Sequence, residues 1–251
     1  MKVFNEADII EAIRELLTVE AAMKVFNEAD LIEAVRELLT VEQKEDPVMS
    51  EIPIPGWFAQ ENRAKLAELI VAHNIKTVVE VGSFLGLSAV WFAQRVEHVY
   101  CVDTWFEGAT YESENNLLGT LRRWDLPRDF FPLYRDNVMR SGLWHKITPV
   151  KGHARYVGGE VPVCDLAYID GDHSYIGCKS DIEVYHDKAR KVLCGDDYTV
   201  RCESAFPFTP AFGVIEAVSE LLPSAQHIEP FWWWERTRLP TSSDLHKIGE
   251  V

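Results

Sequence analysis

Three aspartates stand where two apolar runs of the sequence end. Asp170 closes the run DLAYID (165–170), and Asp196 and Asp197 close the run KVLCGDD (191–197). If the two runs are neighbouring strands, the three carboxylates meet at one edge, where they cannot all stay ionised without a cation. Hard oxygen donors suit Mg²⁺ better than Zn²⁺. Aspartate is also common in turns and helix caps, so the sequence leaves a purely structural role open.

A histidine, His173, follows Asp170 by three residues. A divalent cation lowers the pKa of a substrate hydroxyl, and an imidazole whose own pKa lies near neutrality could accept the released proton. The alternative is that His173 only orders the turn by hydrogen bonding.

A turn containing two glycines follows the run KTVVEVG (76–82). Gly82 and Gly86 permit a tight turn and let a ligand approach the backbone, and the N-terminus of the next helix favours an anionic group. The spacing EVGSFLGLS matches neither GxGxxG nor the phosphate loop GxxxxGK[ST]. A plain connection between a strand and a helix is the alternative interpretation.

The next apolar run, HVYCVD (98–103), also ends in an acid, Asp103, which lies 21 residues after Gly82. A carboxylate at that place can accept both hydroxyls of a ribose, as in nucleoside-binding α/β folds. Its alternative role is to cap the loop that follows.

The elements that must position these residues alternate between strands and helices. Strands are predicted at 76–82, 98–103, 147–152, 165–170, 191–197 and 231–236, and helices at 56–74, 86–95, 128–140, 175–190 and 210–222. This order predicts an α/β fold with a doubly wound, mostly parallel sheet and helices on both faces. In such sheets ligands bind outside the carboxyl ends of the strands, where the acids above lie.

Three tryptophans, Trp232, Trp233 and Trp234, alternate along the last predicted strand. At least one face of that strand is therefore expected to be core. A wall of the substrate site is the alternative.

A repeat precedes these elements, since residues 1–20 return as residues 23–42 with two conservative changes. Each copy is typical of a short amphipathic helix. We interpret 1–42 as a duplicated helical extension, 43–55 as a linker with three prolines, 56–237 as the catalytic domain and 238–251 as a tail. The extension is either dispensable or an arm for packing or dimerisation.

Composition excludes several classes of protein. The 251 residues carry 25 basic and 40 acidic side chains, a net charge of −15, with 47% hydrophobic residues. The hydrophobic content excludes wholesale disorder, and the acidic charge argues against nucleic acid or an anionic membrane as partner. No apolar run is long enough to span a bilayer, and the acidic, amphipathic start of the sequence is not expected to act as a secretion signal. Five cysteines without a CxxC pair predict reduced thiols and a cytoplasmic protein.

Four segments in chain order resemble a class I S-adenosylmethionine-dependent methyltransferase: VVEVGSFLGLSAVWFA, VYCVDTW, DLAYIDGDHSY and VLCGDDY. The resemblance extends from about Ile54 to Glu235. It is closest to the branch of macrocin-type sugar O-methyltransferases and cephalosporin-hydroxylase-like proteins, and more distant from catechol O-methyltransferase. The first segment is shared by many methyltransferases, whereas IDGDHSY together with GDDY is more specific.

The resemblance implies a Rossmann-like methyltransferase sheet and assigns roles by position. The glycine turn would hold the methionine part of the cofactor, Asp103 the ribose, and the end of the third strand the adenine. Trp105 would stack on the adenine or anchor its loop. The implied cofactor-binding residues are Glu80, Gly82, Ser83, Gly86, Ser88, Asp103, Trp105, Gly152, His153 and Asp170.

The resemblance also implies a metal and a base. The implied metal ligands are Asp170, Asp196 and Asp197, and the implied catalytic residues are His173, as general base, and Asp170. Catechol-type enzymes have asparagine at the place of Asp197, so the charge around the metal differs here.

The expected function is an S-adenosylmethionine- and divalent-metal-dependent O-methyltransferase, with Mg²⁺ or another divalent cation. Its partner would be a small hydroxylated acceptor, either a polar metabolite or a sugar, and homo-oligomers are left open. Two alternatives remain at this stage: a metal-dependent hydroxylase- or hydrolase-like relative on the same fold, and a non-catalytic cofactor-binding module.

Overall fold

The computed structural model describes residues 54–106, 126–199 and 212–236. In that part of the chain seven strands form one sheet. They are β1 (Thr77–Val81), β2 (His98–Asp103), β3 (Ile147–Lys151), β4 (Cys164–Ile169), β5 (Ala189–Gly195), β6 (Gln226–Ile228) and β7 (Phe231–Glu235).

Six α-helices are described beside the sheet. They are α1 (Gln60–Ala72), α2 (Leu87–Arg95), α3 (Phe131–Arg140), α4 (Ala154–Val157), α5 (Tyr175–Tyr185) and α6 (Val214–Leu221). None of them is long and apolar enough to cross a bilayer. The predicted extension 1–42, most of the linker and the tail 238–251 lie outside the described residues, and the chain divides between residues 51 and 52.

The strand order is β3-β2-β1-β4-β5-β7-β6. Strands β1 to β5 run parallel, and β7 is antiparallel to both β5 and β6. The prediction of a doubly wound, mostly parallel methyltransferase-type sheet is confirmed. The strand order reverses between β1 and β4, and ligands bind at such a switch point.

The two central strands, β1 and β4, owe their position to their apolar sequences. All residues of β4 are buried, as are the last four of β1, because helices cover both faces of the sheet. Ile182 of α5 and Val218 of α6 belong to the core on one face. On the other face Phe92 of α2 packs edge-on against Tyr168 of β4, with ring centroids 5.5 Å apart.

The tryptophan run of β7 contributes to the core on both faces, which confirms and extends the prediction. Trp232 is fully buried on the side of α5 and α6. Trp233 is buried as well, and the Lys65 ammonium of α1 lies 4.4 Å from the centre of its ring.

Several elements differ from the sequence prediction, among them the short helix α4, which was not predicted. The helix predicted to run to residue 190 ends at Tyr185, because the 3-10 turn His186–Lys188 and then β5 follow at once. The short strand β6 was not predicted: its three residues, QHI, are all exposed and carry no apolar alternation.

The tips of β1 and β4 approach each other backbone to backbone. Gly82 has a φ of +91°, and a Cβ atom added there would overlap the carbonyl group of Asp170. The Asp170 N–H donates to the Val81 carbonyl at 2.8 Å, and the Gly82 N–H donates to the Val102 carbonyl at 2.8 Å. Only glycine fits at position 82, for both conformational and steric reasons.

Substituting Gly82→Ala should therefore destabilise the fold far more than an ordinary glycine replacement. The matched control is Gly142→Ala, because Gly142 also has a positive φ (+75°) but no atom within 4 Å of its added Cβ. We expect the control to cost about 1 kcal/mol in free energy of unfolding from backbone strain. Gly82→Ala should cost at least about 2 kcal/mol more, through overpacking. Urea unfolding measures both values, and equal losses would contradict the close approach of the two strands.

Candidate active site

A cavity of about 670 Å³ opens at the carboxyl ends of β1, β2, β4 and β5. It collects residues from all the motifs singled out in the sequence. Those that line it are Gly82, Ser83, Ser88, Asp103, Gly152, His153, Asp170, His173, Asp196 and Asp197. The predicted contacts Glu80, Gly86 and Trp105 do not line it.

Glu80 lies beneath the glycine turn rather than in the cavity. Its side chain is fully buried, and burial raises its pKa to about 7, although the nearby hydroxyls of Ser83 and Ser88 lower it in part. No hydrogen bond of ordinary geometry reaches either Glu80 oxygen or the Ser83 hydroxyl from the described residues. Buried polar groups normally have partners, and Ser83 lines the cavity, so its hydroxyl fits a polar ligand group such as the methionine end of the cofactor.

The carboxylate of Asp103 joins the turns that follow β1 and β2. Its Oδ2 accepts a hydrogen bond from the Phe84 N–H at 2.8 Å, and its Oδ1 accepts one from the Trp105 N–H at 2.7 Å. Burial raises the pKa of Asp103, and the two amides oppose that effect. Oδ1 also accepts the Thr104 hydroxyl at 3.5 Å, whereas Oδ2 keeps a lone pair that can accept a hydroxyl group from the cavity.

Trp105 faces the core and not the cavity. Its ring is fully buried, with centroids 5.0 Å from Phe131 and 4.5 Å from Tyr134. Its indole N–H donates to the Phe84 carbonyl at 2.9 Å. Of the two roles predicted for Trp105, the structure therefore supports the loop anchor and not the stack on adenine.

The end of β3 completes the cofactor side of the cavity. The Gly152 N–H donates to the Asp103 carbonyl at 2.9 Å, which brings His153 to the wall beside the β2 turn. Gly86, by contrast, lies against α3, where an added Cβ would be 3.3 Å from the Tyr134 ring.

The acidic edge forms because β4 and β5 are neighbours, as predicted. Ile169 pairs with Gly195, so the residues after each strand emerge side by side. Asp170, His173 and Asp197 form a group whose ligand atoms all lie within 4.8 Å of one another. Their side chains are between 18% and 22% exposed, so solvent and small ligands can reach them.

Asp196 lines the cavity but stands outside this group of three. Its Oδ1 accepts a hydrogen bond from the Asp197 N–H at 2.7 Å. Asp197 has a φ of +59°, a left-handed conformation that redirects its side chain toward Asp170 and His173. The structure thus brings His173 to the two carboxylates. The charge of Asp196 also contributes to raising the pKa of Asp170, so the role of Asp196 as a metal ligand stays a prediction.

Two further acids line the cavity that the sequence analysis did not assign. Asp172 accepts the Ser174 N–H at 2.9 Å, and the Ser174 hydroxyl accepts the Gly177 N–H at 3.1 Å, so both residues order the start of α5. Asp181 of α5 is almost wholly buried, and burial together with Asp172 raises its pKa to about 8. Asp172 could have been predicted to line the site, because it follows Asp170 by two residues in the segment IDGDH.

Aromatic rings were also missed as a feature of the site. Trp57 is 61% exposed and stacks on Phe84, with ring centroids 6.4 Å apart. Phe84 in turn packs edge-on against Phe130 at 5.6 Å, and all three line the cavity. The position of Phe84 between the two glycines of the turn could have indicated that an aromatic ring lines the site.

Comparison with known proteins identifies the domain. Residues 79–198, from β1 to just beyond the acidic edge, match a family model described as a methyltransferase domain. A search of curated proteins found no significant match.

Solved structures with the same fold include three O-methyltransferases. One from Bacillus cereus, in complex with S-adenosylhomocysteine, is 16% identical with a TM-score of 0.55, and the match covers 80% of this chain and 96% of that chain. A putative O-methyltransferase from Klebsiella pneumoniae is 16% identical with a TM-score of 0.54, and the match covers 80% of this chain and 96% of that chain. The O-methyltransferase TomG from Streptomyces achromogenes, in complex with S-adenosylmethionine, is 14% identical with a TM-score of 0.51. That match covers 74% of this chain and 84% of that chain.

At these identities the structural likeness is one of fold, and the family match includes most of the residues that line the cavity. The glycine turn, the strand-end acid and the strand order agree with that match. Residues 79–198 are therefore similar to a methyltransferase domain, on a fold that the chain shares with S-adenosylmethionine-dependent O-methyltransferases.

Proposed function

We propose that the protein transfers the methyl group of S-adenosylmethionine to a hydroxyl oxygen of a small acceptor, with a divalent cation at the acidic edge. One observation carries the proposal: the glycine turn, Asp103 and the pair Asp170–Asp197 open into a single cavity. Two of the structures that share the fold are O-methyltransferases in complex with S-adenosylhomocysteine or S-adenosylmethionine, which supports the same chemistry.

The residues around the turn would hold the cofactor. Gly82 leaves its backbone open to the ligand, Ser83 and Ser88 offer hydroxyls, and Asp103 offers the remaining lone pair of its Oδ2. S-adenosylmethionine supplies a methyl group that is already activated on a sulfonium. The protein then has to position the acceptor in line with that carbon and to exclude water.

The methyl transfer needs no oxidant or reductant. The bond between sulfur and the methyl carbon breaks, and a bond between that carbon and the acceptor oxygen forms. The products are S-adenosylhomocysteine, the methyl ether and the proton of the hydroxyl.

The acidic edge fits a divalent cation by the chemistry of its donors. Asp170 and Asp197 present carboxylate oxygens to one point, and burial raises the pKa of Asp170. A cation there would offset the repulsion between the two carboxylates. A divalent cation at this edge would lower the pKa of the acceptor hydroxyl and orient it.

The rim of the cavity favours a ring-shaped acceptor, such as a sugar or a hydroxylated cyclic metabolite. Trp57, Phe84 and Phe130 present an aromatic surface against which a flat ring face can pack. Within the described residues, no lysine or arginine lines the cavity.

The two alternatives account for less of the site. A hydroxylase- or hydrolase-like relative would need the acidic edge but not the glycine turn with Asp103, and residues 79–198 match a methyltransferase domain. A non-catalytic module would need the turn but not the acidic edge beside it. A measured rate of methyl transfer would distinguish the proposed enzyme from a non-catalytic module.

Asp103→Ala should weaken the binding of S-adenosylhomocysteine by roughly 1–3 kcal/mol, since the ribose would lose hydrogen bonds to a charged group. Titration calorimetry on the full chain measures the affinity. The control is Asp129→Ala, which removes a surface carboxylate paired with Lys151 near the same edge but outside the cavity. Thermal unfolding of both variants separates lost binding from lost folding. Unchanged affinity in a folded Asp103→Ala variant would contradict the cofactor site.

Methyl transfer itself is measured with S-adenosylmethionine carrying a radiolabelled methyl group and a panel of sugars and polyhydroxylated rings. Exhaustive chelation and Asp170→Asn should each reduce the rate roughly 10²–10³-fold, because the hydroxyl loses its Lewis acid. Asp136→Asn, which alters an exposed aspartate paired with Arg135, is the matched control and should keep full activity. Full activity after chelation would exclude the role of the cation and leave cofactor binding intact.

A further inference from the structure

The imidazole of His173 points at the same place as the two carboxylates. Its Nε2 lies 3.3 Å from Asp170 Oδ1 and 3.1 Å from Asp197 Oδ2. A general base would instead have to direct this nitrogen at the acceptor hydroxyl. A cation bound between the two carboxylates would therefore also lie within reach of the His173 Nε2.

Residues at the start of α6 hold this ring in place. The ring of Phe212 stacks on the imidazole with centroids 4.9 Å apart and planes 7° from parallel. Phe212 also forms an antiparallel bridge with Ser174, and the Gly213 N–H donates to the His173 carbonyl at 2.8 Å. Both the backbone and the ring face of His173 are thereby fixed, and the edge that carries Nε2 stays directed at Asp170 and Asp197.

The distances match those between adjacent ligands of one metal ion. Bonds of about 2.1 Å, typical for nitrogen and oxygen ligands, place neighbouring ligands of an octahedral ion about 3.0 Å apart. The two separations from Nε2 are close to that value. A nitrogen whose lone pair binds a cation cannot also accept a proton from the acceptor.

We propose that His173 is a metal ligand together with Asp170 and Asp197, that Phe212 is its positioning residue, and that the site prefers a transition-metal dication to Mg²⁺. The proposal rests on the divalent cation of the proposed function and specifies its ligands and class. Imidazole suits transition metals, whereas a site of carboxylates and water suits Mg²⁺. Two carboxylates balance the charge of the ion, and the imidazole binds as the neutral form.

This ligand set differs from the oxygen-only set that the resemblance implies. In this set His173 takes the place of Asp196, which lines the cavity but stands outside the group of three. The two sets make opposite predictions for substitutions at positions 173 and 196.

The test uses the full chain, freed of metal, and titrates it with Co²⁺, Mn²⁺ and Mg²⁺ separately. Calorimetry gives the affinities, and the visible absorption of bound Co²⁺ reports on a nitrogen ligand. We expect Co²⁺ and Mn²⁺ to bind at least about tenfold more tightly than Mg²⁺. His173→Ala should weaken Co²⁺ binding at least about tenfold and change its spectrum, while Asp196→Asn should leave both close to the wild type. His145→Ala, at an exposed histidine outside the cavity, is the matched control.

The role of Phe212 is tested in the same assay. Phe212→Leu removes the stacked ring and should weaken Co²⁺ binding, and Phe212→Tyr, which keeps the ring, should restore it. In a His173→Ala background Phe212→Leu should have no further effect on the affinity, because the positioning role acts only through the imidazole. An equal effect in both backgrounds would show a purely structural role for Phe212. Binding of S-adenosylhomocysteine confirms that each variant is folded.

The outcomes separate this inference from the proposed function. If Mg²⁺ binds as tightly as Co²⁺ and the affinity depends on Asp196 but not on His173, the ligand assignment is wrong and the divalent cation stands. If no ion binds while S-adenosylhomocysteine does, His173 is an internal counter-ion to the two carboxylates. That result would overturn both the ligand assignment and the role of the cation, and methyl transfer would remain to be judged by its own assay.

Discussion

The close approach of β1 and β4 at their carboxyl ends is the constraint on which the site depends. Gly82 admits the carbonyl group of Asp170 where any side chain would collide with it. Because the strand order reverses at this point, the turn after β1 and the acid after β4 open into one cavity. The cofactor side and the acidic side of the site are neighbours for this reason, although Gly82 and Asp170 are 88 positions apart in the sequence.

Strained backbone is concentrated at the same edge. Phe84, Trp105 and Asp197 all have positive φ values, between 44° and 59°, although none of them is glycine. Hydrogen bonds to Asp103 and from the Trp105 indole hold the first two in place. Such conformations cost free energy and persist only when the surroundings enforce them. The buried strands and the helices on both faces provide that enforcement, so the stability of the core maintains the geometry of the site.

The elements could be predicted from the sequence because their patterns are local. Apolar β-branched runs placed β1, β2, β4 and β5 within one or two residues, and the order of elements predicted the parallel sheet and hence the edge at which the acids lie. Strand β6 escaped prediction because its three exposed residues carry no pattern.

The side-chain directions at the site could not be predicted in the same way. Asp196 and Asp197 are adjacent and chemically identical in the sequence, and only the left-handed backbone at Asp197 determines which of them reaches Asp170 and His173. The stack of Phe212 on His173 joins residues 39 positions apart, and no motif announces it. Trp105 was ambiguous for a related reason, since its ring turns to the core only through its contact with α3.

A crystal structure of the full chain grown with S-adenosylhomocysteine and Mn²⁺ is the most direct test of the central claim, that one cavity holds the cofactor beside the acidic edge. We expect the methionine part of the ligand to lie on the Gly82 turn and its ribose to contact Asp103. We also expect an anomalous manganese peak between Asp170 and Asp197. Density for the ligand elsewhere on the protein, with the cavity at the Gly82 turn empty, would contradict the account.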